Sequence, residues 1–185
     1  MAQSYVDVPH ATYDEWLNNT IGNEYDLDGS YGYQCWDYAS LFWRNVGFAV
    51  GFPRTGAGGY AYECWTNSRF VNAGTEFDLI ELLANVKKGD IVVLDQGRFA
   101  GDTAGHIAFA DEDYHGGNSL RLVGQNQENP SAVYGYKVTS DIMSVVKFLG
   151  AFRYKGWINP PTPTDEDEEK KFPWFITANK RRNMI

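Results

Sequence analysis

The sequence predicts an α+β fold, in which N-terminal helices pack on an antiparallel sheet of about five to six strands. Two observations predict it. Apolar residues recur at helical spacing in the first part of the chain, and short apolar runs bounded by turns follow residue 86. Helices first and strands later are typical of α+β domains. The 185 residues are enough for one domain with its own core.

Three helices are predicted in this first part of the chain. Thr12 followed by Glu15 has the spacing of a capping box, which marks the start of the first helix. A second helix starts at or just after Cys35, because apolar side chains then recur three or four residues apart until Gly47, a typical C-terminal glycine. The predicted helices cover residues 11–22, 35–47 and 61–69.

Short apolar runs between turns predict the strands of the sheet. One of them starts at His106, directly after a glycine-containing loop. Residues 51–64 are rich in glycine and aromatic residues, which indicates a shaped surface loop. The predicted strands cover residues 91–94, 106–110, 120–126, 133–138 and 148–158.

The composition changes at Asn159, where a proline-rich stretch leads into a run of acidic residues. Prolines make such a connection stiff and extended. The basic, aromatic end that follows is either a disordered terminus or a docking peptide for another protein, the cell wall or a membrane surface. The predicted organisation is a catalytic domain at 1–159, a Pro/acidic linker at 160–171 and a short tail at 172–185.

Bulk properties exclude several classes of protein. The net charge of −8 argues against nucleic acid as the main partner. The sequence contains neither a membrane span nor the basic start and apolar run of a signal peptide. We therefore expect synthesis in a cytoplasm without export by the general route. Two cysteines make no disulfide framework, although one Cys35–Cys64 bridge stays an alternative.

Cys35 is the first candidate for chemistry. It lies at or just before the start of the second predicted helix. The helix dipole and the unpaired N–H groups there favour an anion, so we expect a lowered thiol pKa. A nucleophilic cysteine needs such surroundings.

His106 is the best-placed base among the three histidines, since it alone starts an apolar strand after a flexible loop. A satisfied structural histidine is the alternative. A base also needs an orienting group on its second ring nitrogen. Gln125 and Asn126, at the end of the next strand, can reach it, although turn chemistry explains this pair equally well.

The loop before Cys35 has the ligand spacing of a calcium site. It departs from the usual pattern in two ways: its glycine stands at position 4 instead of 6, and position 12 is Asp instead of Glu. A solvated acidic turn is the alternative. The predicted ligands at positions 1, 3, 5, 7 and 12 are Asp26, Asp28, Ser30, Gly32 and Asp37.

Four motifs follow one another along the chain in a fixed order. They are Asp26-x-Asp28-Gly29-x-Tyr31-Gly32-x-Gln34-Cys35-x-Asp37, Gly89-Asp90-Ile91-Val92, Gly105-His106-Ile107-Ala108 and Gln125-Asn126. Together they resemble the CHAP domain, the cysteine, histidine-dependent amidohydrolase/peptidase domain of bacteriophage endolysins and bacterial wall hydrolases. The resemblance covers roughly residues 10–158.

The resemblance implies a papain-like α+β fold with Cys35 as nucleophile and His106 as base. Family members often have an acid where this chain has Gly124. The orienting role is therefore assigned to Asn126, with Glu128 as the alternative.

Two further expectations concern the groups around the nucleophile. Gln34 and the Cys35 backbone N–H are the predicted oxyanion hole. Some family members bind calcium through the loop before the cysteine, so a structural Ca²⁺ is expected here as well.

The implied function is that of a phage endolysin that hydrolyses an amide bond of peptidoglycan, as N-acetylmuramoyl-L-alanine amidase or as endopeptidase. The enzyme would act at the bacterial cell wall after synthesis in the host cytoplasm. A wall-binding module or subunit could attach through the C-terminal tail. The alternative is a non-catalytic, calcium-dependent wall-binding module or a virion-associated structural component.

Overall fold

The computed structural model describes residues 6–72, 76–98, 101–127 and 137–157, and of residues 70–72 only the backbone. Three helices precede a set of strands, with a short 3-10 turn at Leu83–Asn85. The helices are α1 (Tyr13–Thr20), α2 (Cys35–Asn45) and α3 (Glu63–Asn72). The strands are β1 (Phe77–Ile80), β2 (Ile91–Leu94), β3 (His106–Ala110), β4 (Ser119–Gly124), β5 (Thr139–Ser144) and β6 (Phe148–Tyr154).

Within the described residues the strands form one six-stranded sheet in the order β1-β6-β2-β3-β4-β5. Every neighbouring pair is antiparallel. In the centre of the sheet Leu94 lies opposite His106, and Phe109 lies opposite Val123. The predicted α+β fold, with helices packed on an antiparallel sheet of five to six strands, is confirmed.

The helix ends follow the signals in the sequence. The Thr12 hydroxyl oxygen accepts the Glu15 N–H over 3.0 Å. The Glu15 carboxylate accepts the N–H of Ala11, one residue before the N-cap. Gly47 has a φ of 93° and closes α2 by donating its N–H to the Arg44 carbonyl. The third helix runs beyond its predicted end, to Asn72.

The predicted strands 91–94 and 106–110 are confirmed as β2 and β3. Two strands were not predicted. β1 is only four residues long, and β5 is an edge strand of partly exposed residues with no apolar alternation. Of the predicted strand 133–138, residues 133–136 lie outside the described residues, and 137–138 precede β5.

An aromatic core holds the helices on one face of the sheet. Tyr38 and Phe42 of α2 approach the Phe109 ring of β3, with ring centroids 5.2 and 5.3 Å apart. All three side chains are fully buried, and each such burial stabilises the fold by about 1.5–3 kcal/mol. A second cluster, which includes Val92 and Ala108, covers the opposite face. This packing brings the first residue of α2 close to the first residue of β3.

The ends of the predicted organisation are not described by the structure. The linker at 160–171 and the tail at 172–185 lie outside the described residues, so the division of the chain stays a prediction. Among the helices that are described, none combines the length and apolar character needed to cross a membrane.

Candidate active site

Cys35 and His106 line one cavity of about 490 Å³. Cys35 is the first residue of α2, and His106 is the first residue of β3. Gln34 and Asn126 also line this cavity, so all four predicted catalytic residues surround the same space. The predicted surface loop 51–64 contributes Gly58 to Ala61 to its wall.

Burial governs the ionisation of the Cys35 thiol. The side chain is 8% exposed, and burial raises the pKa of the thiol. The backbone N–H groups of Ile107 and Trp36 and the Arg98 charge lower this pKa, but by less than burial raises it. The predicted lowering of the thiol pKa is therefore wrong, because the helix start does not compensate for the loss of water.

Both cysteines are free, so the alternative of a Cys35–Cys64 bridge is not found. Cys64 lies on α3 and is fully buried. Burial, together with the nearby Cys35, raises the pKa of the Cys64 thiol well above its usual value. Cys64 does not line the cavity that Cys35 shares with His106, so a substrate bound there does not reach its thiol.

His106 is 1% exposed, and burial followed by the Arg98 charge lowers its pKa to about 3. Its ring is therefore neutral at pH 7 and able to accept a proton. Nε2 of the ring lies 3.3 Å from Oε1 of Gln127. That contact leaves Nδ1 as the ring nitrogen for proton transfer at the cavity.

The orienting partner of His106 differs from the prediction. Asn126 was expected on the imidazole, yet its Nδ2 donates to Oε1 of Gln34 over 2.8 Å, and the side chain on the imidazole is that of Gln127. The reason is local. β4 ends at Gly124, and Asn126 has a left-handed φ of 56°, so the following residue returns its side chain to the sheet. Glu128, the alternative, lies outside the described residues.

Gln34 is held from two sides. Its Nε2 donates to the Tyr31 carbonyl over 2.6 Å, and its Oε1 accepts from Asn126. Gln125, fully buried, donates to the Gln34 carbonyl and makes two hydrogen bonds with the Tyr25 backbone. These contacts fix the loop segment that leads into Cys35. The oxyanion-hole role of Gln34 stays a prediction.

A buried ion pair precedes His106, and sequence reasoning missed it. Arg98 Nε lies 2.8 Å from Asp102 Oδ2, with side chains 7% and 3% exposed. Arg98 also donates to the Gly105 carbonyl, while Asp102 accepts the Gly105 N–H. Burial raises the pKa of Asp102, but the Arg98 contacts outweigh it and the pKa is lowered. The pair thus clamps the residue before His106.

Aromatic side chains form part of the cavity wall. Tyr31, 80% exposed, and Tyr60, 38% exposed, both line it. The Tyr60 ring stacks on Tyr62, with centroids 5.7 Å apart and planes 13° from parallel. Such faces suit the apolar parts of a peptide or a sugar.

The acidic loop gathers three of the five predicted metal ligands. Carboxylate oxygens of Asp26, Asp28 and Asp37 lie within 4.8 Å of one another. Burial, together with the charges of Asp28 and Asp26, raises the pKa of Asp37 to about 7. Ser30 and Gly32 lie on the same loop, where the Ser30 N–H donates to Asp28.

Asp37 also shapes this loop through its backbone contacts. Its two carboxylate oxygens accept the N–H groups of Leu27 and Gln34 over 2.8 and 2.9 Å. It therefore caps α2 at the residue before the nucleophile. A change at this position would disturb the helix start as well as a metal site.

The sequence profile of the CHAP domain matches residues 23–126, which contain the acidic loop, Cys35, His106 and Asn126. The chain belongs to the CHAP domain family. The expected family and fold are thereby confirmed. This CHAP domain has a glycine, Gly124, at the position where the family resemblance predicts an acid.

A phage endopeptidase and a solved endolysin are among the similar proteins. A D-alanyl-L-alanine endopeptidase of Streptococcus phage B30 is 31% identical over 170 residues, which is 91% of this chain but only 36% of that protein. The wild type endolysin LysIME-EF1 is 25% identical with a TM-score of 0.56, over 78% of this chain and 65% of its own. Ly7917 is 16% identical with a TM-score of 0.44, over 73% and 55% of the two chains.

Proposed function

We propose that this CHAP domain hydrolyses an amide bond in the peptide part of bacterial peptidoglycan, with Cys35 as nucleophile and His106 as base. The observation that carries the proposal is the cavity that Cys35 and His106 share. Thiol-dependent acyl transfer requires a cysteine as nucleophile and a neutral histidine as base, and one cavity contains both.

The ionisation of the two groups indicates how the first step proceeds. The thiol pKa is raised and the His106 pKa is about 3, so both groups are neutral before substrate binds. The Cys35 sulfur attacks the carbonyl carbon while its proton passes to Nδ1 of His106. The charge that develops on the carbonyl oxygen then needs donors, for which we propose the Cys35 N–H and the Gln34 amide.

The later steps use His106 first as an acid and then again as a base. The imidazolium gives it to the leaving amine as the C–N bond breaks, which produces a thioester on Cys35. Water then attacks the thioester carbonyl and loses a proton to His106. The thiol is released with that proton, so the enzyme returns to its starting state.

The bond that is cut is proposed to lie between amino acids. The relative from Streptococcus phage B30 is named a D-alanyl-L-alanine endopeptidase. The match covers 91% of the present chain and 36% of that relative. The exposed Tyr31 and Tyr60 at the cavity offer faces for apolar side chains of such a peptide. Amidase activity at the sugar–peptide junction is the second candidate, because the same thiol chemistry would serve it.

We also propose that the acidic loop binds Ca²⁺ as a structural ion. The donor set fits, since three carboxylates with oxygens within 4.8 Å provide hard oxygen ligands and repel one another without a cation. Asp26, Asp28 and Asp37 would hold the ion, joined by oxygens of Ser30 and Gly32. When bound, calcium neutralises this charge and stabilises the loop before Cys35.

Digestion of purified peptidoglycan tests the enzymatic proposal. Mass spectrometry of the fragments should show new amino and carboxyl ends within the peptides, and none with Cys35→Ser. New free N-termini at the first alanine, with sugar released intact, would assign the amidase alternative. Binding of walls by wild type and Cys35→Ser without any fragments would instead identify a non-catalytic wall-binding module.

A further inference from the structure

We propose that Gln127 is the positioning residue of His106, and that it fixes the ring in the tautomer with hydrogen on Nε2. The effect of Gln127 on catalysis rests on the proposed function. The hydrogen bond to His106 and the tautomer that it fixes do not depend on any activity. This inference goes beyond the predicted site, in which Asn126 held this role.

The Gln127 amide can be oriented in only one way. Its Nε2 lies 3.0 Å from the Leu122 carbonyl, 3.0 Å from the Thr139 carbonyl and 3.2 Å from Asp141 Oδ2. All three are acceptors, so the NH₂ group must face them. If the amide were turned over, its oxygen would lie against three other oxygens. The side chain is 8% exposed, so little water is present to relieve that repulsion.

This orientation determines where the hydrogen of His106 lies. Oε1 of Gln127 is placed 3.3 Å from Nε2 of the ring, and an amide oxygen can only accept. Nε2 must therefore carry the hydrogen and donate it. In a neutral imidazole, Nδ1 then has the lone pair, which is the form that can take a proton from a thiol.

Gly124 provides the space for this arrangement. A Cβ at this position would lie 3.1 Å from the Ala108 Cβ and 3.2 Å from Oε1 of Gln127. Ala108 is two residues after His106 and so shares its side of β3. A side chain at residue 124 would therefore compete with Gln127 for the place beside the imidazole.

The neutral amide has a consequence for the resting state. An amide oxygen orients the ring but does not bring the negative charge with which a carboxylate would stabilise an imidazolium. This agrees with the low pKa of about 3 for His106. Gln127 thus positions the base while leaving it unprotonated.

The decisive experiment is ¹⁵N NMR of histidine-labelled protein at neutral pH, which distinguishes a protonated from an unprotonated ring nitrogen. The proposal expects His106 in the Nε2–H tautomer in the wild type. A wild-type Nδ1–H tautomer would overturn it. This reading needs no variant and no substrate, so it stands whether or not the protein digests peptidoglycan.

Gln127→Leu tests the link to catalysis. It should lower kcat by about tenfold or more and leave KM little changed. The upper limit is the ~10⁴-fold loss of kcat that follows from the wrong histidine tautomer in a serine protease triad. The His106 signals should also lose the Nε2–H form. Gln125→Leu is the matched control: it removes a buried amide of the same turn, so it should lower the melting temperature and keep the tautomer.

Two results would contradict the assignment of Gln127. One is a folded Gln127→Leu protein with wild-type kcat and an unchanged Nε2–H tautomer. The other is loss of the tautomer in the Gln125→Leu control, which would make the effect a general one of destabilisation. If the wild type digests no peptidoglycan but shows the Nε2–H tautomer, the proposed function fails and the positioning role of Gln127 is retained.

Discussion

Asn126 Nδ2 lies 2.8 Å from Gln34 Oε1, and this hydrogen bond joins the turn after β4 to the residue before α2. Because Gln34 Nε2 is held by the Tyr31 carbonyl, the Gln34 oxygen must face Asn126. The Oδ1 atom of Asn126 is buried and has no hydrogen-bond partner within the described residues. Asn126 therefore supports the predicted oxyanion donor instead of the base.

A double-mutant cycle tests this relationship. Asn126→Ala and Gln34→Ala should each lower kcat/KM, and the double variant should lose much less than the sum of the two losses. For groups in direct contact, about 0.5–3 kcal/mol of coupling is expected. kcat/KM on soluble wall fragments is the measurement. Fully additive losses would mean that the hydrogen bond does not matter for the reaction.

The two cysteines should behave differently on substitution. Cys35→Ser should abolish the clearing of cell-wall suspensions while leaving the melting temperature close to that of wild type. Cys64→Ser should keep most of the activity, because Cys64 is fully buried on α3 and does not line the cavity. The reverse pattern, with Cys64 required and Cys35 dispensable, would show that the nucleophile is assigned to the wrong cysteine.

The Arg98–Asp102 pair should matter more than an exposed pair of the same kind. Arg98→Met leaves the buried Asp102 carboxylate without its partner, so we expect a loss of about 3–5 kcal/mol in the free energy of unfolding. It also removes a charge that lowers the pKa of His106. Denaturant unfolding measures the loss of stability. The pH dependence of kcat/KM measures the change in the pKa of His106.

Lys87→Met is the matched control for that variant. Lys87 forms an ion pair with Asp113 over 2.9 Å, but the two side chains are 59% and 39% exposed. Exposed pairs contribute about 0–1 kcal/mol, so this change should hardly alter stability. Equal losses in the two variants would show that the Arg98 pair has no special structural role.

The sequence was informative where local signals dominate. The start of α2 at Cys35, its end near Gly47 and the strand that starts at His106 all follow from patterns within a few residues. Tertiary packing then brings Cys35 and His106 to the same cavity. This was expected from the family resemblance and not from the local patterns.

Other features depend on contacts between distant residues, and no local pattern predicts them. Gln127 contacts His106 only because Asn126 adopts a left-handed conformation after β4. The direction of the Cys35 pKa shift was wrong for a related reason. A helix start is visible in the sequence, whereas the burial that outweighs it depends on the whole fold.

His106 should make the protein less stable in acid. Its pKa is about 3 in the folded protein, against about 6.5 when unfolded, so the unfolded chain binds the proton more strongly. The contribution is fully present above pH 6.5 and is lost as the pH falls from there towards 3. Between pH 6.5 and 4.5 the loss should be about 2 kcal/mol.

His106→Asn removes this titration and provides the comparison. The other ionisable groups are common to both proteins, so they largely cancel in the difference between the two unfolding free energies. As the pH falls, the unfolding free energy of the wild type should decrease more than that of His106→Asn. Denaturant unfolding at a series of pH values measures both. A difference that stays constant between pH 6.5 and 4.5 would contradict the low pKa of His106.

Calcium should stabilise the domain through the acidic loop. The carboxylates of Asp26, Asp28 and Asp37 repel one another, and a bound cation removes that repulsion. With Asp at position 12, we expect an affinity between micromolar and millimolar. Chelation should lower the melting temperature and the rate of wall lysis, and calcium should restore both.

The size of that effect should follow mass action. Above the dissociation constant, each tenfold rise in free calcium should add about 1.4 kcal/mol to the free energy of unfolding, a dependence that ionic screening by NaCl does not reproduce. The double variant Asp26→Ala/Asp28→Ala should lose this response, whereas Asp113→Ala, which removes an acid outside the loop, should keep it. Asp37 is left intact because it also caps α2 through Leu27 and Gln34. Identical melting curves in chelator and in millimolar calcium would show that the loop binds no calcium. The loop would then be an acidic turn in which the rest of the fold compensates for the repulsion between the carboxylates.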